Sequence, residues 1–334
     1  MRDPLIDLHC HLEGSIDPQR SYEILHRAGH PMANERTGFF RHVTAYEPGW
    51  DGFSAAISLL DRCMVDRATA IEVVADVVAR AAEQDVKILE PNFAPGEFKL
   101  QEALSGDLRP FTEVVIAGVE AGAHNRDIAV GLRILILPRH LSDPFSATYG
   151  DVIEHVLEYR RHLVGVDICT LDRIQERHDE RRLPALCDRV KASGLHLSAH
   201  AGEFYDAAPV VQALGLGAER IGHGIQVAYD AAVLERVKAS GVTLEVCPVS
   251  NYRTGALARG CEHPLGRLLR AGVRVTINSD DSGVQGSTWQ DDYRVAVDRI
   301  GLTEDEVRQC LRNAYQASFL RAEEKGRYAA LWQQ

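Results

Sequence analysis

Short apolar runs alternate with longer amphipathic stretches along most of the chain, and this alternation constrains the fold more than any other feature. Eight runs are predicted as β-strands, at residues 5–9, 86–90, 128–137, 163–168, 195–200, 220–222, 242–246 and 273–278. Apolar residues recur with helical spacing between most of them, at 68–83, 149–161, 183–193, 231–240 and 264–271. Gly194, Gly241 and Gly272 follow three of these helices just before a strand, where helix-ending glycines are expected.

Strand–helix alternation indicates a parallel sheet, and eight units in 334 residues fit an α/β fold of the (β/α)8 TIM-barrel type. A doubly wound open sheet is the competing layout. Chemically distinctive residues end the first, fifth, sixth and eighth strands, and a closed ring brings all four ends to one mouth, which favours the barrel. We expect one domain over residues 1–334. A helical insertion at 14–66 either forms a lid or only adds packing, and residues 303–331 add C-terminal helices.

Charge and cysteine content exclude several classes of partner and location. The net charge of −11 and the lack of clustered Lys and Arg argue against nucleic acid and anionic membranes as partners. No apolar run is long enough to span a bilayer, and the N-terminus lacks a signal-peptide pattern. The seven cysteines are scattered without a CxxC pair, which is typical of a reducing cytoplasm. The oligomeric state stays open, a homo-oligomer included.

Metal-type residues follow several of the predicted strands. His9 and His11 lie two residues apart after an apolar run, so on a strand both imidazoles face the same side. His200 ends the fifth strand and Asp280 follows the eighth, so a barrel would join three nitrogen donors to one oxygen donor. This set suits one zinc ion with room for a water molecule. The fourth strand ends without a lysine that could bridge two metals, which favours a single ion.

Acid–base side chains lie close to these candidate ligands in the sequence. Glu203, three residues past His200, is predicted to pass a proton between water and a substrate nitrogen. His223, flanked by glycines, is predicted to orient that water or to hold its proton. Asp281 should point away from Asp280 and is therefore free to hydrogen-bond the substrate. The structural alternatives are a solvated loop carboxylate, a buried histidine bonded to backbone, and a surface charge.

Five segments, in this order and spacing, resemble the adenosine deaminase family of metal-dependent amidohydrolases. The segments are DLHCHLEGS (7–15), HAGE (200–203), ERIGHG (219–224), CPVSNYRTG (247–255) and INSDDSG (277–283). The resemblance runs through most of the chain and implies the (β/α)8 barrel. It also implies that one catalytic zinc is bound by His9, His11, His200 and Asp280.

The same resemblance implies roles for the remaining site residues. Glu203 would protonate the purine ring nitrogen N1, and His223 would assist the nucleophile that attacks C6. Asp281 would hydrogen-bond the N7 side of the ring. Protonation of N1 makes C6 electrophilic, so the implied chemistry is internally consistent.

The positions that would read the substrate depart from the family pattern. Glu13 stands where adenosine-specific members have an Asp that contacts the ribose 5′-hydroxyl, whereas adenine deaminases of the family also carry Glu. Thr170 stands where the family has a Gly whose amide meets purine N3. Strand two ends in Glu90-Pro91-Asn92 in place of Glu-x-Arg, while Gly14 is retained. We therefore expect Glu13, Gly14 and Thr170 to contact the substrate.

The resemblance implies zinc-dependent hydrolytic deamination of a purine-like small molecule with release of ammonia. The expected substrate is an adenosine-type nucleoside. Adenine, aminodeoxyfutalosine and N6-substituted adenine compounds are the alternatives. A different one-metal amidohydrolase that cleaves an amide or ester is more remote, as is a non-catalytic binding protein that retains the barrel.

Overall fold

The computed structural model describes residues 3–96, 106–169, 171–173, 182–258 and 260–332. The strands are β1 (Leu5–His11), β2 (Val86–Phe93), β3 (Ala129–Val130), β4 (Leu132–Ile136), β5 (Leu163–Ile168), β6 (His196–Ala201), β7 (Arg220–His223), β8 (Thr243–Val246) and β9 (Arg274–Ile277). They pair in parallel in the order β1-β2-β4-β5-β6-β7-β8-β9, and β3 pairs with β2.

Hydrogen bonds beyond the end of β9 join it to β1. Asp280 pairs with Cys10 in a parallel bridge, and the Asp280 backbone exchanges hydrogen bonds of 2.8 and 2.9 Å with His11 and His9. The Leu8 amide also donates to Asn278 Oδ1 at 3.0 Å. The sheet is therefore a nearly closed barrel of parallel strands with helices between them. This confirms the predicted (β/α)8 fold and excludes the open sheet.

The prediction of a single strand at 128–137 is wrong, because the structure divides it into β3 and β4 at Gly131. Both pieces keep the same register against β2, so the barrel still has eight strand positions. A Cβ at Gly131 would lie 3.0 Å from both methyl groups of Val164. A glycine at such a close approach packs no side chain and weakens the strand, which accounts for the interruption.

Helices lie in the connections between the strands and in the chain after β9. They are α1 (Pro18–Arg27), α2 (Arg36–Thr44), α3 (Trp50–Leu60), α4 (Arg67–Glu83), α5 (Arg109–Ala123), α6 (Asp143–Tyr149), α7 (Val152–Tyr159), α8 (Arg182–Ala192), α9 (Ala208–Leu216), α10 (Ala231–Ser240), α11 (Pro248–Arg253), α12 (Leu265–Arg270), α13 (Ser282–Gln285), α14 (Trp289–Asp298), α15 (Glu304–Ala317), α16 (Ala322–Gly326) and α17 (Ala329–Trp332). Each helical pattern predicted from the sequence contains a helix. None of the described helices has the length and apolar character needed to cross a membrane.

Local sequence signals account for several helix ends. Gly194, Gly241 and Gly272 have left-handed φ values of +82°, +69° and +88°, as expected for helix-ending glycines. Thr303 accepts a hydrogen bond from the Glu306 amide, and Glu306 accepts one from the Thr303 amide, which forms a capping box at the start of α15. All seven cysteines are free thiols, and six of them are buried.

The insertion after β1 contains α1, α2 and α3, of which α2 had no clear sequence signal. Its α2–α3 connection lies beside the loops that follow β8 and β9. Arg253 donates a hydrogen bond to the Thr44 carbonyl, and a Cβ at Gly286 would lie 3.3 Å from Thr44 Cβ. The insertion therefore borders the carboxyl-end mouth of the barrel, where a lid would have to lie.

Candidate active site

Four imidazole rings meet at the carboxyl ends of the strands. β1 contributes His9 and His11, β6 contributes His200, and His223 ends β7. Donor atoms of His9, His200, His223 and Asp280 all lie within 4.8 Å of one another. His11 Nε2 lies 3.1 Å from His200 Nε2 and 3.2 Å from Asp280 Oδ1. The structure thus brings the four predicted metal ligands together and adds His223 to the group.

Left-handed backbone conformations direct two of these side chains into the cluster. φ is +61° at His223 and +60° at Asp280. Successive residues of a regular strand face opposite sides, and Gly222 faces His9. His223 would therefore be expected to point away from His9. Instead, its ring centroid lies 5.0 Å from that of His9. Such strained residues cost about 1–3 kcal/mol each and concentrate at functional sites.

Gly222 provides the space in which the His9 ring lies. A Cβ at position 222 would lie 2.6 Å from His9 Cε1 and 3.3 Å from the His200 Cα. Any larger residue would therefore push the His9 ring away from the cluster. Close packing against the His9 imidazole therefore explains why the motif Gly222-His223-Gly224 begins with a glycine.

Two buried carboxylates fix the orientation of the imidazoles. His9 Nδ1 lies 2.6 Å from Glu245 Oε2, and His200 Nδ1 lies 2.5 Å from Asp167 Oδ1. An ionised carboxylate accepts only, so each Nδ1 carries the proton and each Nε2 presents a lone pair to the cluster. Burial would raise the pKa of Glu245, but Arg220 and Arg133 outweigh it and lower that pKa to about 2.

A layer of paired charges lies beneath the imidazoles, and we call it the lower layer. Its members are Glu90, Arg133, Asp167, Arg220 and Glu245, all of them buried. Arg220 Nε lies 2.6 Å from Glu245 Oε1 and its Nη1 2.7 Å from Glu90 Oε2. Arg133 Nη1 lies 3.2 Å from Asp167 Oδ2. This layer holds the two carboxylates that orient His9 and His200.

Sequence reasoning missed the lower layer, although a signal for it exists. Arg133, Asp167 and Glu245 each place a charge inside a short and largely apolar strand, as Arg133 does in Leu132–Ile136. Charged residues are rarely fully buried unless they are paired, so charges of both signs on neighbouring strands predict ion pairs inside the barrel.

The carboxyl group of Glu203 lies next to His223. Glu203 Oε2 is 3.5 Å from His223 Nε2, and Thr254 Oγ1 donates to Glu203 Oε1 at 3.5 Å. Burial, together with the nearby charge of Asp280, raises the pKa of Glu203 well above its ordinary value. The raised pKa favours the protonated form of the group, which is the form that a general acid needs.

Asp172 holds the turn that carries Glu203, a role that the sequence did not suggest. Its carboxylate accepts hydrogen bonds of 2.7 Å from the backbone amides of Gly202, Glu203 and Phe204. Gly202 has a left-handed φ of +67°, which allows the chain to turn there. A side chain of the segment that follows β5 thus holds the turn after β6 in place.

Asp281, Glu13 and Gly14 lie together at the same mouth. A Cβ on Gly14 would lie 1.7 Å from Asp281 Oδ1, so only glycine fits there. Glu13 Oε1 accepts from the Ala94 amide at 2.8 Å, and Glu13 Oε2 and Asp281 Oδ1 are buried without a hydrogen-bond partner among the described residues. Burial raises the pKa of both carboxyl groups. These two oxygens are the polar atoms that a bound molecule can use.

A small apolar cluster lies apart from the main core, at the ends of β2, β4 and β5. It consists of Ala94, Leu135, Cys169 and the half-buried Leu137. Burial, with the nearby charges of Asp167 and Glu203, raises the pKa of the Cys169 thiol, so the cluster lies near the acidic residues. Apolar surface beside acidic groups suits a flat heterocycle with polar edges. Thr170, the next residue, lies outside the described residues, so its contact with a substrate stays a prediction.

Comparison with known proteins identifies relatives along the whole chain. A family model described as adenosine deaminase matches residues 4–331. An adenosine deaminase of Shigella flexneri serotype 5b is 31% identical over 343 residues, covering 96% of this chain and 95% of that protein. An adenosine deaminase of Shewanella loihica is 29% identical, covering 98% of each.

Solved structures share the fold at lower identity. Adenine deaminase from Arthrobacter aurescens has a TM-score of 0.85 at 22% identity, covering 99% of this chain and 98% of that one. The Arabidopsis N6-mAMP deaminase has a TM-score of 0.82 at 23% identity, covering 99% and 97%. An amidohydrolase from Burkholderia ambifaria, solved with bound Zn, has a TM-score of 0.81 at 19% identity, covering 99% and 90%.

Proposed function

The chain belongs to the adenosine deaminase family, and from this premise we propose that it binds one zinc ion and deaminates an adenosine-type nucleoside. Membership makes the chain a hydrolase of C–N bonds in cyclic amidines that deaminates adenine-type compounds. The observation that carries the finer proposal is the buried cluster of His9, His200 and Asp280 beside the carboxyl group of Glu203, whose pKa burial raises.

We assign the zinc ion to His9, His11, His200 and Asp280. His9 Nε2 is buried without a hydrogen-bond partner among the residues that the structure describes, which is costly unless a cation takes its lone pair. Three imidazoles and one carboxylate are a donor set that suits zinc. When bound, the ion would lower the pKa of a water molecule towards ~7 and so supply the nucleophile.

The acid–base work falls to Glu203. Its retained proton is donated to the ring nitrogen N1 of the substrate, which draws electron density from C6 and opens that carbon to attack. The hydrogen bonds that backbone amides of its turn donate to Asp172 keep Glu203 in place. Asp281 is assigned to the N7 side of the ring, because its raised pKa favours a protonated carboxyl group that can donate to N7, and its buried Oδ1 has no partner among the described residues. His223 contacts the oxygen that adds to C6.

Specificity is assigned to Glu13. Its Oε1 is already held by the Ala94 amide, so its buried Oε2 accepts a hydrogen bond from the substrate. A sugar hydroxyl can donate that bond, and so can the N9–H group of free adenine. Glu13 replaces the shorter Asp of adenosine-specific family members, and adenine deaminases of the family also carry Glu. Adenine is therefore the second candidate substrate.

A substrate panel tests this proposal. The zinc-loaded protein is incubated with adenosine, 2′-deoxyadenosine, adenine, aminodeoxyfutalosine and N6-substituted adenine compounds, and release of ammonia or amine is measured. We expect the highest kcat/KM for adenosine-type nucleosides. A higher value for adenine selects the second candidate, and Glu13→Asp should then shift the preference towards adenosine. Absence of reaction with every compound contradicts the assigned substrate class. Two metal ions per chain would favour a different metal hydrolase.

A further inference from the structure

A chain of buried polar groups contacts the Nδ1 side of His223, on the opposite edge of the ring from Glu203. Asn251 Nδ2 lies 3.2 Å from His223 Nδ1, and Asn251 Oδ1 lies 3.2 Å from His263 Nε2. The chain ends at the Leu265 amide, 3.1 Å from His263 Nδ1. Asn251 and His263 are 0% and 2% exposed, so each contact is made without competition from bulk water.

The last contact sets the protonation of His263. A backbone N–H group can only donate, so His263 Nδ1 accepts and carries no proton. Burial lowers the pKa of His263 to about 3, so the ring is neutral under ordinary conditions. A neutral imidazole has one proton, and it must therefore lie on Nε2.

The middle contact then sets the orientation of Asn251. The Nε2–H group of His263 needs an acceptor, and the only acceptor on the Asn251 side chain is Oδ1. The Nδ2 group of Asn251 is left as a donor towards His223 Nδ1. The oxygen and nitrogen of a side-chain amide have nearly the same shape, so shape alone does not fix its orientation. Here the orientation is fixed by the Leu265 amide, two contacts away.

The first contact sets the state of His223. Because its Nδ1 accepts from Asn251, a neutral His223 carries its proton on Nε2. That atom lies 3.5 Å from Glu203 Oε2 and 3.9 Å from Asp280 Oδ2. By distance alone His223 belongs with the metal-type donors His9 and His200. A protonated ring nitrogen has no lone pair for a cation.

We propose that His263 and Asn251 are positioning residues that fix neutral His223 with its proton on Nε2, so that it faces the substrate as a hydrogen-bond donor. Metal binding is thereby left to His11, whose Nε2 lies 3.1 Å from His200 Nε2 and 3.2 Å from Asp280 Oδ1. As a donor, His223 stabilises the negative charge that develops on the oxygen added to C6. This role in turnover rests on the proposed deamination, whereas the position of the proton does not.

Every alternative arrangement buries two donors against each other. A proton on His223 Nδ1 would face the Nδ2 group of Asn251. Rotation of the Asn251 amide would turn Nδ2 towards the Nε2–H group of His263, and a proton on His263 Nδ1 would face the Leu265 amide. An unsatisfied buried donor biases such an equilibrium by on the order of tenfold to a hundredfold.

Nitrogen-15 NMR of histidine-labelled, zinc-loaded protein tests the proposal directly. The His223 signals are identified by their loss in His223→Gln. We expect Nδ1 of His223 to be unprotonated and Nε2 to be protonated and free of metal in the unmodified protein. Protonated Nδ1, or Nε2 bound to the metal, would overturn the proposal. This measurement needs no variant beyond the one used for assignment and no turnover.

Variants of the chain sharpen the test. Asn251→Asp replaces the donor by an acceptor of the same shape, so His223 Nδ1 should become protonated. His263→Phe should give a mixture of states, whereas His263→Gln retains a donor towards Asn251 and should restore the original state. An unchanged His223 Nδ1 in Asn251→Asp would contradict the proposal. His155→Phe is the matched control, because His155 is a buried histidine on α7 that bonds Thr112 Oγ1 at 2.9 Å.

Measurements of activity test the role in turnover separately from the position of the proton. With an accepted substrate, we expect kcat to fall on the order of tenfold in His263→Phe, with KM little changed and His263→Gln close to the unmodified protein. Equal losses in His263→Phe, His263→Gln and His155→Phe would indicate a merely structural role and overturn the assignment to turnover. If no purine is deaminated, the proposed function fails, and the NMR result still decides the tautomer.

Discussion

The barrel interior contains two charged layers that differ in how their charges are compensated. In the lower layer, each carboxylate of Glu90, Asp167 and Glu245 lies within 4 Å of an arginine. The upper layer, at the mouth, consists of Glu13, Glu203, Asp280 and Asp281. Across the part of the chain that the structure describes, no Lys or Arg forms an ion pair with the upper layer.

The same residue types therefore have opposite properties in the two layers. In the lower layer, arginines overcome burial and keep the pKa of Glu245 at about 2, so it stays an acceptor for His9. In the upper layer, burial and the neighbouring Asp280 raise the pKa of Glu203 and Asp281 well above their ordinary values. Carboxylates paired with arginine orient the imidazoles, whereas the raised pKa values of Glu203 and Asp281 favour the protonated forms that can donate to a substrate. The variants below test this division from the largest expected effect to the smallest.

Glu203→Gln removes the proton carrier of the upper layer at constant shape. We expect kcat/KM to fall by about 10²–10⁴-fold while zinc content is retained, because general acid catalysis contributes that much. Ammonia release and metal analysis measure the two quantities. Glu219→Gln is the control, since Glu219 pairs with His196 at the start of β6. An unchanged rate in Glu203→Gln would remove Glu203 from the mechanism.

Arg220→Met breaks the lower layer, because it removes the arginine that pairs with Glu90 and leaves Glu245 with Arg133 alone, at 3.6 Å. The expected loss in the free energy of unfolding is about 3–5 kcal/mol, as for other buried ion pairs that lose one member. Arg270→Met is the matched control, because Arg270 pairs with Glu306 at 2.7 Å on the surface and should cost about 0–1 kcal/mol. Urea-induced unfolding measures both. Similar losses in the two variants would refute a special role of burial.

Asp167→Asn separates positioning from chemistry. The variant weakens the hold on His200 Nδ1, so zinc affinity should fall by about 10–100-fold. At saturating zinc, turnover should fall much less than in Glu203→Gln. Competition with a chelator gives the affinity, and kcat at high zinc gives the turnover. If turnover is lost while zinc affinity is unchanged, Asp167 takes part in the reaction itself. That result would contradict the division of roles between the two layers.

Gly14→Ala perturbs the upper layer without changing a charge. The added Cβ would lie 1.7 Å from Asp281 Oδ1 and must displace that carboxyl group. We expect kcat/KM to fall about tenfold, which corresponds to the lower end of overpacking costs of about 1–3 kcal/mol. Gly215→Ala is the control, since a Cβ there meets no atom within 4 Å. Equal kinetics in both variants would show that Asp281 does not bind the substrate.

Local patterns predicted most of the fold, because strands, helix ends and capping boxes depend on neighbours in the sequence. Two features escaped. The helix Arg36–Thr44 contains Gly38 and β-branched residues with low helix propensity, and it is stabilised by burial of Phe39 and Val43. The interruption at Gly131 follows from contact with Val164, a residue on the next strand.

The candidate site was predictable where motif residues end strands, as for His9 and Glu203. The residues that support them were not, because their partners lie far apart in the chain. Glu245 pairs with His9 across 236 positions, and Asp172 holds amides 30 or more positions away. His263 is a further case, since its effect on His223 passes through Asn251. Such relations depend on the closed ring of strands and not on local sequence.

The most direct test of the shared metal site is anomalous X-ray diffraction from zinc-loaded crystals on both sides of the zinc absorption edge. We predict one zinc peak per chain, bonded to His9, His11, His200 and Asp280, with His223 outside bonding distance. A peak bonded to His223 in place of His11, a second peak in the same mouth, or the absence of a peak among these residues would contradict it.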